Sequence, residues 1–523
     1  VSFPWMTAAL LLPIVGSVVV AMLPTRPGSA LAKQVALGFS VLTLVLAAAI
    51  GLGFEVGGDR YQFVEQHDWI TAFGAHYALG VDGIGLTLVL LTAVLTPVVI
   101  LASWHDADDV SGARWSVNSF FAWMLALEGL AIGVFAAMDV FLFYVLFEAT
   151  LIPIYFLIGG FGGPRRAYAA VKFLIFSLLG GLVMLASVVG LYVVSADSAG
   201  GPTYLLTELA PITANIDTNL GRWLFLGFFV AFAIKAPMFP VHTWLPTAAA
   251  EATPGTSVLL VSILDKIGTF GMIRFCLGLF PEASQWATPV VLVLAVISVL
   301  YGALAAIGQR SIPRLIAFTS VSHFGFIVLG IFVLNSAGQV GSTLYMFNHG
   351  LSTAALFLVT GFLISRRGSQ SIGDFGGVQG VAPVLAGLFL VAGLSSLSLP
   401  GLSPFISEFL VLVGAFTHNY WYAAAAVLGI VLAALYILLM YQRTMTGPVH
   451  PAVAGMRDLS RREVGALAPL VLLIVLLGFF PKPLTSIINP AVQDTLQQVG
   501  VSDPKPDVPA PATASQAEEE SAQ

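Results

Sequence analysis

Charge is scarce in this chain: lysine, arginine, aspartate and glutamate supply only 9% of its 523 residues, too little to cover the surface of a water-soluble domain. Cysteine is scarcer still. Cys276 is the only one, which excludes an internal disulfide, a cysteine-ligated iron–sulfur cluster and a CxxC redox pair. No GxxxxGK[ST] phosphate loop and no HExxH zinc pair occurs, and the GFGG at 160–163 reads as glycine between helices rather than a dinucleotide turn. No cofactor, no metal and no nucleic-acid partner is expected. Any work done here must draw on an ion gradient or on a partner subunit.

What the chain has instead is apolar length. Hydrophobic residues make up 58%, in runs of about twenty residues, each long enough to cross a hydrocarbon core of ~30 Å. The expected fold is an all-α polytopic membrane protein of fourteen spans, centred near residues 14, 43, 92, 127, 149, 181, 231, 267, 297, 323, 351, 400, 432 and 472. The twelfth is long and interrupted. No charged n-region precedes the first span and no small-residue cleavage site follows it, so it reads as retained. Loops are short except at about 55–82 and 196–221. From 501 to 523 the chain turns to proline, alanine and acid, a composition expected to stay disordered. Residues 1–500 read as a single membrane domain.

Positive charge sets an expected orientation. Of 21 lysines and arginines, thirteen fall in or beside loops after odd-numbered spans: Arg26, Lys33, Arg114, Arg165, Arg166, Arg310, Arg314, Arg366, Arg367, Arg443, Arg457, Arg461 and Arg462. Four fall on the other side (Arg60, Arg222, Lys482, Lys505) and four within spans (Lys172, Lys235, Lys266, Arg274). The positive-inside rule then places the odd-to-even loops in the cytoplasm and both termini outside.

Against this background five ionisable residues stand near the middle of apolar spans: Glu148, Lys235, Lys266, His323 and Glu408. A charge at that depth costs at least ~3 kcal/mol on insertion scales, so such residues are functional candidates. His349 joins them, flanked by Ser342, Tyr345, Ser352 and Thr353 at helical spacing, as His323 is by Thr319 and Ser320. Polar positions also recur. Glu148 and His323 are 175 residues apart, Lys172 and His349 177, Lys235 and Glu408 173. This predicts two five-helix units, helices 4–8 and 9–13, and an odd-numbered unit in tandem must insert with opposite topology. AIKAPMFP (233–240) and LPGLSP (399–404) put proline beside Lys235 and Glu408, so helices 7 and 12 are expected to be broken, a pointer to a transporter's ion path.

Each residue also has a structural reading. Lys235 and Lys266 read as structural salt-bridge partners and Glu148 as a packing acid. Lys172, near the start of its span, could snorkel to the surface. Glu128 and Asp139 read equally as structural or functional. The functional alternative is proton transfer: desolvation disfavours the charged form of lysine and carboxylate while an opposite charge restores it, so a pair such as Glu148–Lys235 is a plausible switch, with histidine as relay.

The segment PVHTWLPTAAAEATPGTSVLLVSILDKIGTFGMIR (240–274), with AIKAPMFP before it, resembles the signature of the antiporter-like proton-pumping subunits of respiratory complex I and the Mrp sodium/proton antiporters. VDGIGLTLVLLT (81–92), FEATLIPIYFLIGGFG (147–162), LIAFTSVSHFGF (315–326), YMFNHGLSTAALFL (345–358) and LPGLSPFISEFLVL (399–412) extend the likeness over nearly the whole chain. Glu408, where sibling subunits L and N and the Mrp subunits usually carry lysine, resembles the M branch of bacterial NADH:quinone oxidoreductase, in the inner membrane. The resemblance implies that Glu148 couples to Lys235, that Lys266 is a central relay, and that His323 and His349 lead to Glu408 at the outer half-channel. It implies neighbouring subunits L, N and K and surrounding lipid as partners, with NADH and quinone bound elsewhere. The alternatives are an Mrp-type cation/proton antiporter subunit and a non-pumping scaffold of a hydrogenase-like complex. Two departures stand out. Thr247 and Ala249 replace the acid and histidine of the family's LPDAH, and Asp265 precedes Lys266 where an apolar residue is expected.

Overall fold

The computed structural model describes residues 2–108 and 115–505; Arg114 and residues 506–523 lie outside the described residues. Of the 501–523 tail expected to be disordered, residues 501–505 are described, with Asp503 accepting from Ser336 N at 2.8 Å. Among the described residues twelve helices are long and apolar enough to cross a membrane. In chain order the first six are α1 (Trp5–Met22), α2 (Leu31–Gly53), α3 (Gly83–Ala102), α4 (Val117–Ala136), α5 (Val140–Phe161) and α6 (Arg166–Ala196). The expected seventh span is an interrupted pair, α7 (Thr218–Lys235) and α8 (Trp244–Glu251). Then come α9 (Pro254–Leu277), α10 (Pro281–Ile307), α11 (Ile312–Phe332) and α12 (Ser336–Arg367). The expected twelfth span is a second interrupted pair, α13 (Pro383–Ser396) and α14 (Ser403–His418), followed by α15 (Tyr420–Met445) and α16 (Arg461–Phe479). A last helix, α17, spans Lys482–Val499.

Burial separates a core from a rim. The most apolar windows of α9 and α11 are 100% buried and that of α12 94%, against 28% for α2 and 33% for α16. Lys266, His323 and His349 therefore stand on helices that are enclosed by others, while Leu42, Leu182 and Leu304 turn outward, as lipid-facing side chains must.

Both breaks follow from proline chemistry. Pro237 has no amide hydrogen to offer the Ala233 carbonyl, which accepts from Met238 N at 3.1 Å instead, and the Ile234 carbonyl thus left free accepts from the Trp244 indole at 2.9 Å. In the second pair, Ser398 and Gly401 take left-handed backbone conformations (φ 63° and 95°) that end α13 and redirect the chain into Pro404. Asn348 on α12 clamps the new helix, donating from Nδ2 to the Ser403 carbonyl and the Ser407 hydroxyl at 2.9 and 2.7 Å. The two breaks are not equivalent in register: Lys235 is the last residue of its first half-helix, whereas Glu408 lies in the second half of its pair.

Loops sort onto two faces. Those after even-numbered spans meet one another: the 62–81 hairpin bridges Ala137 through Leu79, Asp139 bridges Leu205, and Arg60 Nη1 donates to Gln498 on α17 at 2.9 Å. Those after odd-numbered spans meet on the opposite face, where Arg165 N donates to Glu251 at 3.0 Å, Arg366 pairs with Glu463 at 2.6 Å, and Arg462 reaches the Leu101 carbonyl at 2.8 Å.

Besides a short helix at Leu206–Thr213 in the 196–221 loop, two elements go beyond the expected loops. Residues 55–82 contain an antiparallel hairpin, β1 (Gln62–Ile70) and β2 (Ala75–Val81). Glu65 of β1 accepts from the Met6 and Thr7 amides at 2.7 and 3.1 Å, placing an acid on the unsatisfied donors at the start of α1. The other is α17, whose buried Leu484, Ile487, Ile488, Ala491, Val492, Leu496 and Val499 form one face. It has helical period without a long apolar run.

A buried polar axis as candidate functional site

Lys266 is the centre of the site. Its helix, α9, departs from α geometry in π-helical turns at Leu259–Leu264 and Met272–Leu277, a feature often found at functional positions. The Lys266 ammonium donates to the Val261 carbonyl at 3.0 Å and lies 2.6 Å from His349 Nδ1 on α12. With the lysine protonated, Nδ1 must be the acceptor. The ring hydrogen then sits on Nε2, which faces the Thr353 hydroxyl at 3.0 Å. Proton transfer from Lys266 to His349 would need no rearrangement of heavy atoms.

From His349 the axis continues through aromatic neighbours. The His323 ring centroid on α11 is 5.2 Å from that of His349 and 5.8 Å from that of Tyr345, and neither His323 nitrogen has a hydrogen-bond partner. Tyr345 donates to Glu408 Oε1 at 2.8 Å. Lys266, His349, His323, Tyr345 and Glu408 thus form one buried series across α9, α12, α11 and α14, every member no more than 3% exposed.

At the other end the geometry is looser. Lys235 is 1% exposed, its Nζ has no hydrogen-bond partner, and it lies 4.8 Å from the Phe147 ring centroid. Glu148 follows Phe147 on α5. Its carboxylate rests on α6 at Gly181, where a Cβ would fall 1.8 Å from Oε1. The two charges expected to pair therefore share a neighbourhood but make no direct ion pair. Glu148 is seated against α6 while the ammonium is held over the ring, a favourable cation–π placement.

Other expectations divide. Asp139 caps α5, accepting from Leu142 N and His76 N at 2.9 Å each, which gives it a structural task. Glu128 is buried on α4 with neither oxygen bonded. Lys172 donates to Thr247 Oγ1 at 3.2 Å, so it turns to the broken seventh span, and the hydroxyl of Thr247 receives it where the family's acid is replaced. In the hydroxyl stripes only Thr353 reaches a histidine. Thr319 and Ser342 bond backward to the carbonyls of Ile316 and Gln339 at 2.6 and 3.1 Å, satisfying their own helices.

Sequence reasoning gave no individual role to Tyr345, Asn348 or His242. Tyr345 was visible only as one member of a stripe. Asn348 stands next to His349 and fixes the α13–α14 break. His242 is 2% exposed between α7 and α8, its ring 4.9 Å from that of Tyr301, with both nitrogens unpartnered; it lies outside any apolar run, so its depth was not legible.

A buried anchor fixes the C-terminal end of α9. Arg274 makes a two-pronged contact with Asp82, Nη1 donating to Oδ2 and Nη2 to Oδ1 at 2.9 Å each, and Asp82 Oδ1 also accepts from Gly85 N at 2.8 Å. Burial pushes the Asp82 carboxyl up, but the Arg274 and Arg60 charges with these hydrogen bonds bring it below its ordinary value.

Residues 137–433 match the family described as NADH:quinone oxidoreductase/Mrp antiporter, TM. The chain is 51% identical to NADH-quinone oxidoreductase subunit M of Mycobacterium tuberculosis, covering 98% of this chain and 97% of that protein, and 37% identical to the subunit of the same name from Rhodobacter capsulatus over 93% and 95%. Among solved structures it resembles a chain of respiratory complex I from Thermus thermophilus with bound NADH, at TM-score 0.83 and 33% identity over 95% of this chain and 100% of that one. A chain of the Mrp complex from Dietzia shares the fold at TM-score 0.80 and 20% identity, covering 95% of this chain and 100% of that one.

Proposed function

The chain belongs to the NADH:quinone oxidoreductase/Mrp antiporter transmembrane family, and on that premise we propose that it is the proton-translocating M-type membrane subunit of a bacterial respiratory NADH:quinone oxidoreductase. The observation that carries the proposal is the 2.6 Å approach of Lys266 to His349, continued by Tyr345 to Glu408. Structural salt bridges alone would pair these charges with each other. Here lysine meets imidazole and phenol meets carboxylate, groups that exchange protons.

In this reading Glu148 and Lys235 form the uptake end, Lys266 and the two histidines the relay, and Glu408 the terminal site. Electron transfer takes place in other subunits, which supply the driving force, and the surface packs against neighbouring antiporter-like subunits and lipid. The face bearing Arg165, Arg366 and Arg462 is cytoplasmic, with both termini outside. The paired helix breaks support two inverted five-helix units within one membrane domain. Glu408 and the 51% identity to a subunit M favour this reading over a stand-alone antiporter subunit, because the 20% likeness to the Mrp chain is evidence of fold only.

Lys266→Ala in the assembled complex tests the proposal. Proton translocation in reconstituted vesicles should fall by at least tenfold while electron transfer from NADH to an artificial acceptor persists. Normal translocation by this variant would leave the axis without a transport role.

A further inference from the structure

The series described above leaves a gap between Lys235 on α7 and Lys266 on α9, and Asp265 stands in it. Asp265 is 0% exposed, and neither carboxylate oxygen has a hydrogen-bond partner. Such a group deep in a membrane core is among the most expensive a chain can carry. It is no helix cap, and among the described residues it joins no ion pair. The transport reading assigns it no task.

Its direction follows from its own helix. Gly268, three residues on, faces the end of α7: a Cβ there would fall 2.5 Å from Ala236 N and 2.6 Å from the Phe232 carbonyl. Gly271 faces the same helix, its Cβ position 2.4 Å from the Phe232 ring. Residues three apart share a helix face, so Asp265 is turned toward the α7 terminus that carries Lys235. Lys266, the next residue around the helix, is turned instead to His349 on α12. One turn of α9 therefore presents an acid to one lysine's helix and an ammonium to the next carrier. The π-helical turn that ends at Leu264, with Asp265 N bonded five residues back to Leu260 O at 2.9 Å, sets this rotation. Lys235 Nζ, like the Asp265 oxygens, is unpartnered. Two buried groups of opposite charge on one helix contact, each lacking a partner, are suited to temporary rather than permanent pairing.

We infer that Asp265 is a proton-carrying residue that links Lys235 to Lys266, an inference that rests on the transport reading above. In the first step the Lys235 ammonium loses a proton from Nζ and an O–H bond forms on the Asp265 carboxylate, leaving a neutral amine and a carboxylic acid. In the second the acid O–H breaks and an N–H bond forms on a neutral Lys266, which restores the carboxylate and regenerates the ammonium that faces His349. A water or a side-chain rotation closes the distance at each step.

The test compares Asp265→Asn and Asp265→Glu in the intact, reconstituted complex, beside Lys266→Ala. Asparagine keeps the shape but cannot accept the proton. It should lower the proton-to-electron ratio and at least fivefold the coupled quinone reduction, with NADH oxidation by an artificial acceptor unchanged. Turnover-induced infrared difference spectra should contain a protonated-carboxyl band that is absent in Asp265→Asn and shifted in Asp265→Glu. A merely structural acid would not produce that band. If the asparagine variant fails to assemble, the glutamate variant decides alone: it should retain part of the pumping and shift the band. A wild-type ratio in Asp265→Asn, or a carboxyl band unmoved by Asp265→Glu, overturns the inference. If Lys266→Ala abolishes pumping while Asp265→Asn does not, this inference alone fails; if neither has an effect, the transport reading fails with it.

Discussion

Gly181 offers a way to displace the Glu148 carboxylate without touching its chemistry. A methyl at position 181 would fall 1.8 Å from Oε1, 2.6 Å from Cδ and 2.9 Å from Oε2. Reaching an ordinary contact of ~3.4 Å requires the carboxylate to retreat by about 1.6 Å. The displaced atoms are the tip of a flexible side chain, so the helix itself has no reason to fail, and alanine adds up to ~1 kcal/mol of helix propensity over glycine. A misplacement of about 1 Å costs roughly 10²-fold where geometry governs transfer, equivalent to ~2.7 kcal/mol of barrier. Gly181→Ala should therefore assemble normally yet slow NADH-driven proton translocation by one to two orders of magnitude. Gly180→Ala is the control, since its Cβ would meet Ala231 Cα and Ile234 Cδ1 at 3.2 and 3.3 Å and not Glu148; it should be mild. The assay is dye-reported acidification of vesicles containing the complex, normalised to assembled protein. Wild-type translocation by Gly181→Ala would refute a positional role for Glu148.

Three further outcomes are expected. Tyr345→Phe removes the hydroxyl that donates to Glu408 at 2.8 Å, a bond to a charged group worth ~1.5–3 kcal/mol; translocation should drop about tenfold, and a silent phenylalanine would reduce Tyr345 to packing. Asp82→Ala leaves the Arg274 charge buried and unpaired, a loss of ~3–5 kcal/mol, so the complex should lose thermal stability in detergent. Because the folded Asp82 carboxyl lies below its ordinary value, its contribution is present above that ordinary value and is lost only as pH falls through the lowered one, so the wild-type–mutant gap in thermal stability should persist at neutral pH and close only in strong acid. Cysteines introduced at 200 in a Cys276-free background should label from outside and those beside Arg165 from the cytoplasm; labelling of 200 from the cytoplasm alone would reverse the orientation.

The broad architecture was legible because membrane spans declare themselves by length and composition. The interrupted seventh and twelfth spans were legible from Pro237, Pro240, Pro400 and Pro404, whose missing amide hydrogens act locally. The burial of Lys235, Lys266, His323 and Glu408 was legible from their depth in apolar runs and that of His349 from its hydroxyl flank, whereas Glu148 is only half-buried. What the sequence hid depended on rotation and distance. Opposite charge and the family resemblance suggested a Glu148–Lys235 pair, but Gly181 seats the carboxylate on α6 and Phe147 holds the ammonium. Periodicity placed Thr319 and Ser342 beside histidines, but their hydroxyls satisfy their own helix backbone. Tyr345 resembled any other stripe residue until its hydroxyl was seen on Glu408. The α17 helix has amphipathic period and too little hydropathy for a search based on apolar length.

Glu408 tests the central claim most directly, because glutamine preserves its volume and hydrogen bonding while removing its acidity. The deciding measurement is the proton-to-electron ratio of Glu408→Gln and Glu408→Asp in reconstituted complex at equal assembly. A terminal proton site predicts a lowered ratio for glutamine and partial retention for aspartate, which keeps the acid but withdraws it by one methylene. A glutamine variant with the wild-type ratio would contradict the account.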